Sequence, residues 1–316
     1  MNTADTGIVF MGTPAFAVAS LDALVKAGFT IRAVVTAPDK PAGRGLQLQE
    51  SAVKKYAVEN YLPVLQPVKL KDPAFISALA ALNANVFVVV AFRMLPEIVW
   101  DMPPMGTINV HGSLLPSYRG AAPINWAIVN GEKETGVTTF KLKAAIDTGN
   151  ILLQDKLPIS EADTAGTIHD KMMVLGANLL VTTLHGIINH TLVEKDQDAI
   201  INNDPNLLKH APKIFTETCT INWNNTAESI FNLIRGLSPF PGALTKLDDK
   251  IFKIFAAQKE ICSHQISAGS VLTDNKTYLK FACADGYLHI LDLQLEGKKR
   301  IQVADFLRGY TLKSSK

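Results

Sequence analysis

The stretch TINVHGSLLPSYRGAAPINWAI, residues 107–128, together with the apolar run VFVVVA at residues 86–91, decides how this chain reads. The run Val86–Ala91 does not alternate, which is the pattern of a strand covered on both faces in the middle of a parallel sheet. Gly106–His111 follows as another strand, ends at Gly112 and gives way to a short helix predicted over Pro123–Val129. Side chains alternate along a strand, so Ile108 and Val110 share one face while Thr107, Asn109 and His111 share the other. Asn109 and His111 therefore point together at the carboxyl end of a strand, where open α/β sheets hold their ligands. A single Asn or His inside a protein is ordinarily a satisfied structural residue. The pairing of the two at that edge favours chemistry.

Working outward, short β-rich runs alternate with helical patterns over the first two hundred residues. Ile8–Met11 and Thr30–Thr36 read as strands, Ala15–Lys26 and the neighbourhood of Ser51–Asn60 as helices, Thr135–Leu142 as a strand and Thr164–His185 as a long helix. Such alternation builds βαβ units, so the fold class is α/β, a doubly wound domain with a mainly parallel sheet. Between the second strand and the next helix runs PDKPAGRGLQLQE, residues 38–50, a loop long enough to be either functional or disordered. Residues 192–215 are polar, contain two prolines and lack an apolar period, which puts a domain boundary near residue 206. The domains expected are 1–205 and 206–316. The second opens with a helix at Thr226–Arg235 and continues as short strands around Ile251–Phe255, Val271–Leu272, Tyr278–Phe281 and Tyr287–Leu291, the spacing of a small barrel or sandwich.

Composition narrows the function classes. With 316 residues, 47% hydrophobic and 19% charged, the chain can bury a sizeable core. Its longest strictly apolar run, Val86–Phe92, has seven residues, well short of the roughly 20 that cross a bilayer, so no membrane span is expected. The start MNTADTG lacks a basic stretch followed by an apolar one, and a cytoplasmic compartment is expected. Cys219, Cys262 and Cys283 are widely spaced, without a C-x-x-C pair or flanking histidines, so neither a disulfide framework nor a zinc site is indicated. Residues 1–205 carry 16 basic and 19 acidic side chains, against 15 and 10 in residues 206–316, a net −3 and +5. That asymmetry fits either a polyanion partner for the C-terminal part or a solvated surface with a chance excess.

The chemistry-bearing residues are few. Gly12–Pro14 joins the first strand to a helix, but neither G-x-G-x-x-G nor G-x-x-x-x-G-K-[ST] is present, so nothing points to a dinucleotide or nucleoside triphosphate. AAIDTGN, residues 144–150, supplies Asp147 in a glycine-containing loop, where an Asp can be a simple turn former. Combined with Asn109 and His111 it has another use. An amide and an imidazolium can stabilise a tetrahedral oxyanion, imidazole can move a proton, and a carboxylate can orient the charged ring. Ser113 lies nearby, yet no G-x-S-x-G elbow surrounds it, which argues against a serine hydrolase.

NVHGSLLPSYRGAAPI, with DTGN downstream and PDKPAGRG upstream, resembles the 10-formyltetrahydrofolate-dependent formyltransferases, and among them those that act on methionyl-tRNA. The likeness runs from IVFMGTPAFA near the start, through VVVAF, to INW and LSPFPGA in the C-terminal part. It implies a Rossmann-type formyltransferase domain followed by a smaller OB-like β-barrel, with the catalytic Asn, His and Asp at Asn109, His111 and Asp147. The folate would lie along Val90, Ala91, Phe92, Ser113, Leu114, Leu115, Pro116 and Leu142, held largely by main-chain groups, with no metal.

The resemblance also implies that the loop after the second strand reaches the acceptor end of initiator methionyl-tRNA through Arg44. Relatives that formylate amino sugars lack this P-A-G-R-G insertion. Two departures bear on these expectations. Leu46, Gln47 and Leu48 follow Arg44 where further basic residues are common, and Ala91-Phe92-Arg93-Met94 replaces the usual A-Y-G segment. Lys298, Lys299 and Arg300 follow Gly297 and form either a solvated turn or a second tRNA contact. A monomer is expected. The rival readings are a formyltransferase for an amino sugar or glycinamide ribonucleotide, a formyltetrahydrofolate hydrolase, and a folate- or RNA-binding module without catalysis.

Overall fold

The computed structural model describes residues 2–42 and 47–312, which divide into two compact units. The first takes in the described residues of 1–120, 135–157 and 169–210, and the second those of 121–134, 158–168 and 211–316.

The first unit is built on a seven-stranded sheet. Its strands are β1 (Gly7–Gly12), β2 (Thr30–Val35), β3 (Val64–Leu65), β4 (Val86–Val90), β5 (Thr107–His111), β6 (Glu134–Lys141) and β7 (Ile151–Pro158), in the spatial order β7-β6-β5-β4-β1-β2-β3. The pairs β5–β4, β4–β1, β1–β2 and β2–β3 are parallel and β5–β6 is antiparallel. All residues of β1 and β4 are buried, the two-face coverage that the unbroken apolar run predicts. The chain leaves β1 in one direction to form β2 and β3, then crosses to the other side of β1 to form β4. That reversal is a topological switch point, and the ends of β1 and β4 flank it. Register places Met11 beside Val89 and Val89 beside Asn109, so Gly12, Val90 and His111 all lie at one edge of the sheet.

Helix Ala15–Lys26 has the bounds the sequence predicts and buries Phe16, Ala17, Ser20, Leu21 and Leu24. Helix Ala165–Ile188 is long and apolar enough to cross a membrane by length and composition. In this fold it is a core helix, burying Met172, Leu180 and Leu184. Gly176 permits the close packing, because a Cβ there would sit 3.1 Å from Val110 Cγ1 and 3.3 Å from Val137 Cγ1.

Several elements escape the sequence reading. Helix Pro73–Ala81 is introduced by Asp72, whose carboxylate accepts from Ala74 N, and strand Ile151–Pro158 has a burial pattern too uneven to stand out. The segment expected to carry no regular element contains helix Gln197–Asn203, capped by Asp196, and a 3₁₀ turn at Pro205–Leu207. In it Ala199, Ile200 and Ile201 are consecutive, so no helical period shows.

The second unit carries helix Ala227–Gly236, whose first turn is capped by Thr226 Oγ1 accepting from Ser229 N. Its antiparallel sheet comprises β8 (Ala243–Leu247), β9 (Lys250–Ile261), β10 (Val271–Thr273), β11 (Leu279–Cys283), β12 (Gly286–Leu295) and β13 (Ile301–Gln302). The order is β8-β9-β12-β11-β10, with β13 also on β12, and the sheet curls into a half-barrel. Phe252, Ile254, Phe281, Leu288, Ile290, Ile230, Ile234 and Phe306 form its core, and Trp223 stacks on Phe281 at 4.5 Å. The expected strand at Ile251–Phe255 extends to Ile261 because the register shifts between Ile254 and Ala257. A bulge reverses the alternation there, so a period-two pattern followed along the sequence stops early.

Candidate active site

Strand β5 delivers the first two site residues. Ile108 and Val110 are buried, while Asn109 is half-buried on the opposite face from them, beside His111. Among the described residues the Asn109 carboxamide has no hydrogen-bond partner, so its donors are free.

His111 is 8% exposed. Its Nε2 lies 2.9 Å from the main-chain oxygen of Tyr118. A carbonyl only accepts, so Nε2 carries a proton and donates it there, which leaves Nδ1 as the nitrogen able to exchange one. Phe140 meets the ring edge-on, with 6.4 Å between centroids. Nδ1 faces Asp147 Oδ2 at 3.9 Å, beyond hydrogen-bond reach.

Asp147 sits in the loop after β6 with φ +54°, the left-handed region that L residues seldom adopt. Its Oδ2 accepts from Gly120 N at 2.9 Å, which turns the carboxylate toward His111. Gly149, two residues on, packs so closely that a Cβ would lie 1.6 Å from the Lys141 carbonyl oxygen.

The turn after β5 is tied to β6. Thr138 Oγ1 donates to Ser113 O and accepts from Leu115 N, and Gln154 Nε2 donates to Leu115 O. Ser113 is fully buried and its hydroxyl donates to Ser117 O, so it is no nucleophile. Leu115 and Pro116 are buried, and Leu114 is half-buried. On the neighbouring strand Val90 is buried, Ala91 is exposed with φ +47°, and Phe92 is half-buried with the Arg93 guanidinium 5.2 Å above its ring. Arg93 donates to Val68 O and Pro67 O, which explains how an arginine fits this position. Leu142 is half-buried and its N donates to Thr107 O.

Of the residues assigned to tRNA, Arg44 lies outside the described residues. Lys298, Lys299 and Arg300 are exposed and follow Gly297, whose φ is +72°. They differ among themselves. Arg300 already donates from Nε and Nη2 to Asp292 Oδ2 and lies 4.2 Å above the Phe255 ring, while Lys298 and Lys299 point no charge at a protein partner among the described residues. No group of three His, Cys, Asp or Glu with metal-holding geometry occurs among the described residues.

Four site residues are missed by the sequence reading: Tyr118, Arg119, Gly120 and Gln197. The first three stand inside the quoted SYRG segment. For Gln197 the only local signal is Asp196, a helix cap before it. Burial pushes the Arg119 guanidinium below the ordinary arginine range, opposed by the charges of Asp198 and Asp147.

Asn109, His111 and Asp147 thus bring a free amide, an imidazole with one open nitrogen and an oriented carboxylate to the carboxyl edge of a switched parallel sheet. The family model described as formyl transferase matches residues 6–184, and that of the formyl transferase C-terminal domain matches residues 213–311. Methionyl-tRNA formyltransferase of Azobacteroides pseudotrichonymphae is 52% identical, covering 98% of this chain and 97% of its own. That of Bacteroides thetaiotaomicron is 49% identical over 99% and 98%. The chain belongs to the methionyl-tRNA formyltransferase family. Among solved structures, a sugar 3N-formyl transferase crystallised with dTDP and 5-N-formyl-THF superposes with a TM-score of 0.67 at 22% identity, covering 93% of this chain and 99% of its own. An N-formyltransferase from Helicobacter canadensis, in complex with folinic acid and dTDP-3-aminofucose, gives 0.65 at 22% over 94% and 100%. At that identity these two share the fold.

Proposed function

We propose that Asn109, His111 and Asp147 transfer the formyl group of 10-formyltetrahydrofolate to the α-amine of methionine carried by initiator tRNA. The observation that carries this reading is the state of His111. One ring nitrogen is committed to Tyr118 O, and the other faces the Asp147 carboxylate without being bonded to it. The amine nitrogen attacks the formyl carbon, a C–N bond forms, and the carbonyl oxygen becomes an oxyanion. The free Asn109 amide and the His111 imidazolium meet that charge, which exists only on the way through the reaction. His111 becomes that imidazolium by taking a proton from the amine at Nδ1 as the C–N bond forms, and it delivers this proton to N10 of the folate as the formyl–N10 bond breaks. Asp147 orients the ring and stabilises its cationic form.

In this reading residues 1–205 bind folate and perform the chemistry. Main-chain groups of Val90, Ala91, Phe92, Ser113, Leu114, Leu115 and Pro116, with Leu142, border the donor. The burial of the Ser113, Leu115 and Pro116 side chains favours main-chain recognition there. Residues 206–316 bind tRNA, with Lys298 and Lys299 meeting phosphates and Arg44 reaching the acceptor stem from the first part of the chain. The enzyme works as a cytoplasmic monomer without a metal.

The test is incubation with 10-formyltetrahydrofolate and initiator or elongator methionyl-tRNA, with formylmethionine measured. Formylation of the initiator in preference to the elongator is expected. Formate release without formylmethionine, or transfer only to a sugar amine, would overturn the reading.

A further inference from the structure

We infer that Gln197 is a positioning residue for the Asp147 carboxylate, acting with Arg119 as a clamp on the loop that carries it. The inference rests on the reading of Asp147 and His111 as one functional unit.

Gln197 is the first residue of helix Gln197–Asn203 and is fully buried. A carboxamide offers two N–H donors and an oxygen with two lone pairs, and here every one is engaged. Nε2 donates to Asp147 O at 3.0 Å and to Gly149 O at 2.7 Å. Oε1 accepts from Arg119 Nε at 3.1 Å and Nη2 at 2.7 Å. The side chain thus bridges both ends of the Asp147–Gly149 turn and ties them to Arg119. Only a carboxamide can do so, since the two loop carbonyls demand donors and the guanidinium demands an acceptor.

The loop needs this support. Asp147 is left-handed, a conformation that an aspartate adopts at a cost, and the two main-chain bonds from Gln197 hold the turn in it. Gln197 holds the main chain of Asp147 from one side. Gly120, next to Arg119, holds its carboxylate from the other. These two grips together set Oδ2 at 3.9 Å from His111 Nδ1. Gln197 touches neither His111 nor the free face of Asn109 in any hydrogen bond among the described residues, so it acts through Asp147.

Gln197→Met in the full-length protein tests this. It conserves volume and neutrality and removes all four hydrogen bonds. Formylmethionine turnover is expected to fall by roughly 10- to 100-fold, the cost of a misplacement of about 1 Å at a reacting group, with KM for 10-formyltetrahydrofolate unchanged. The loss should couple to Asp147, so that the double variant with Asp147→Asn is no more than about twofold slower than Asp147→Asn alone. In the free protein the imidazole nitrogen resonances of His111 should move in the same direction in Gln197→Met as in Asp147→Asn. Gln197→Asn, one methylene shorter and unable to span both partners, should reproduce these effects and serves if the Met variant does not fold. Turnover within twofold of wild type, losses that multiply in the double variant, or unmoved His111 resonances would each overturn the inference. Because the resonances are read without substrate, they report on the clamp even if formyl transfer to methionyl-tRNA itself proves wrong.

Discussion

Asp147→Asn separates the charge of the carboxylate from its geometry. Asn retains an oxygen that can accept from Gly120 N, and it tolerates the left-handed φ of +54° better than most residues. What disappears is the negative charge 3.9 Å from His111 Nδ1, in a pair of side chains only 8% and 12% exposed. With an effective dielectric of about 20, unit charges at that distance attract by about 4 kcal/mol. The amide dipole recovers part of this, so the imidazolium of the proposed mechanism would lose roughly 3–4 kcal/mol of stabilisation. At 1.36 kcal/mol per factor of ten, kcat is expected to fall by about 10²–10³. The assay is transfer from saturating 10-formyltetrahydrofolate to initiator methionyl-tRNA, alongside a folate-binding measurement that should stay near wild type. A kcat within fivefold of wild type would refute the electrostatic coupling of Asp147 to His111.

Three further outcomes are expected. Asn109→Ala removes the amide that the proposed mechanism sets against the oxyanion and should lower turnover by roughly 10²–10³-fold with folate affinity nearly intact, measured by kinetics and equilibrium binding. Gly149→Ala forces a Cβ to within 1.6 Å of Lys141 O, so it should destabilise the fold by about 2 kcal/mol or more in denaturant unfolding and reduce turnover with it. The double variant Lys298→Ala/Lys299→Ala, which leaves the Arg300–Asp292 pair and its stacking on Phe255 in place, should weaken initiator and elongator methionyl-tRNA alike. It should also lower the slope of log affinity against log salt by about 2, and an unchanged slope would make the cluster a solvated turn.

Local rules made much of this protein legible. The pleat of a strand puts residues two apart on one face, so Asn109 and His111 could be paired from TINVH alone. The unbroken apolar run marked β4 as an interior strand, and helices Ala15–Lys26 and Pro123–Val129 kept their predicted bounds. Local rules failed where a bulge reversed the alternation of β9 and where Ala199, Ile200 and Ile201 hid the period of a short helix. Tertiary structure alone decided the chemistry of the pair. Tyr118 O selects the open nitrogen of His111, Gly120 N turns the Asp147 carboxylate, and Gln197, from a segment that reads as a linker, holds the loop beneath it. Periodicity reports which face a residue occupies, because that follows from backbone geometry over a few residues. Which hydrogen bond a buried group makes depends on where distant parts of the chain stop, and Gln197 lies 50 residues from Asp147 and 78 from Arg119.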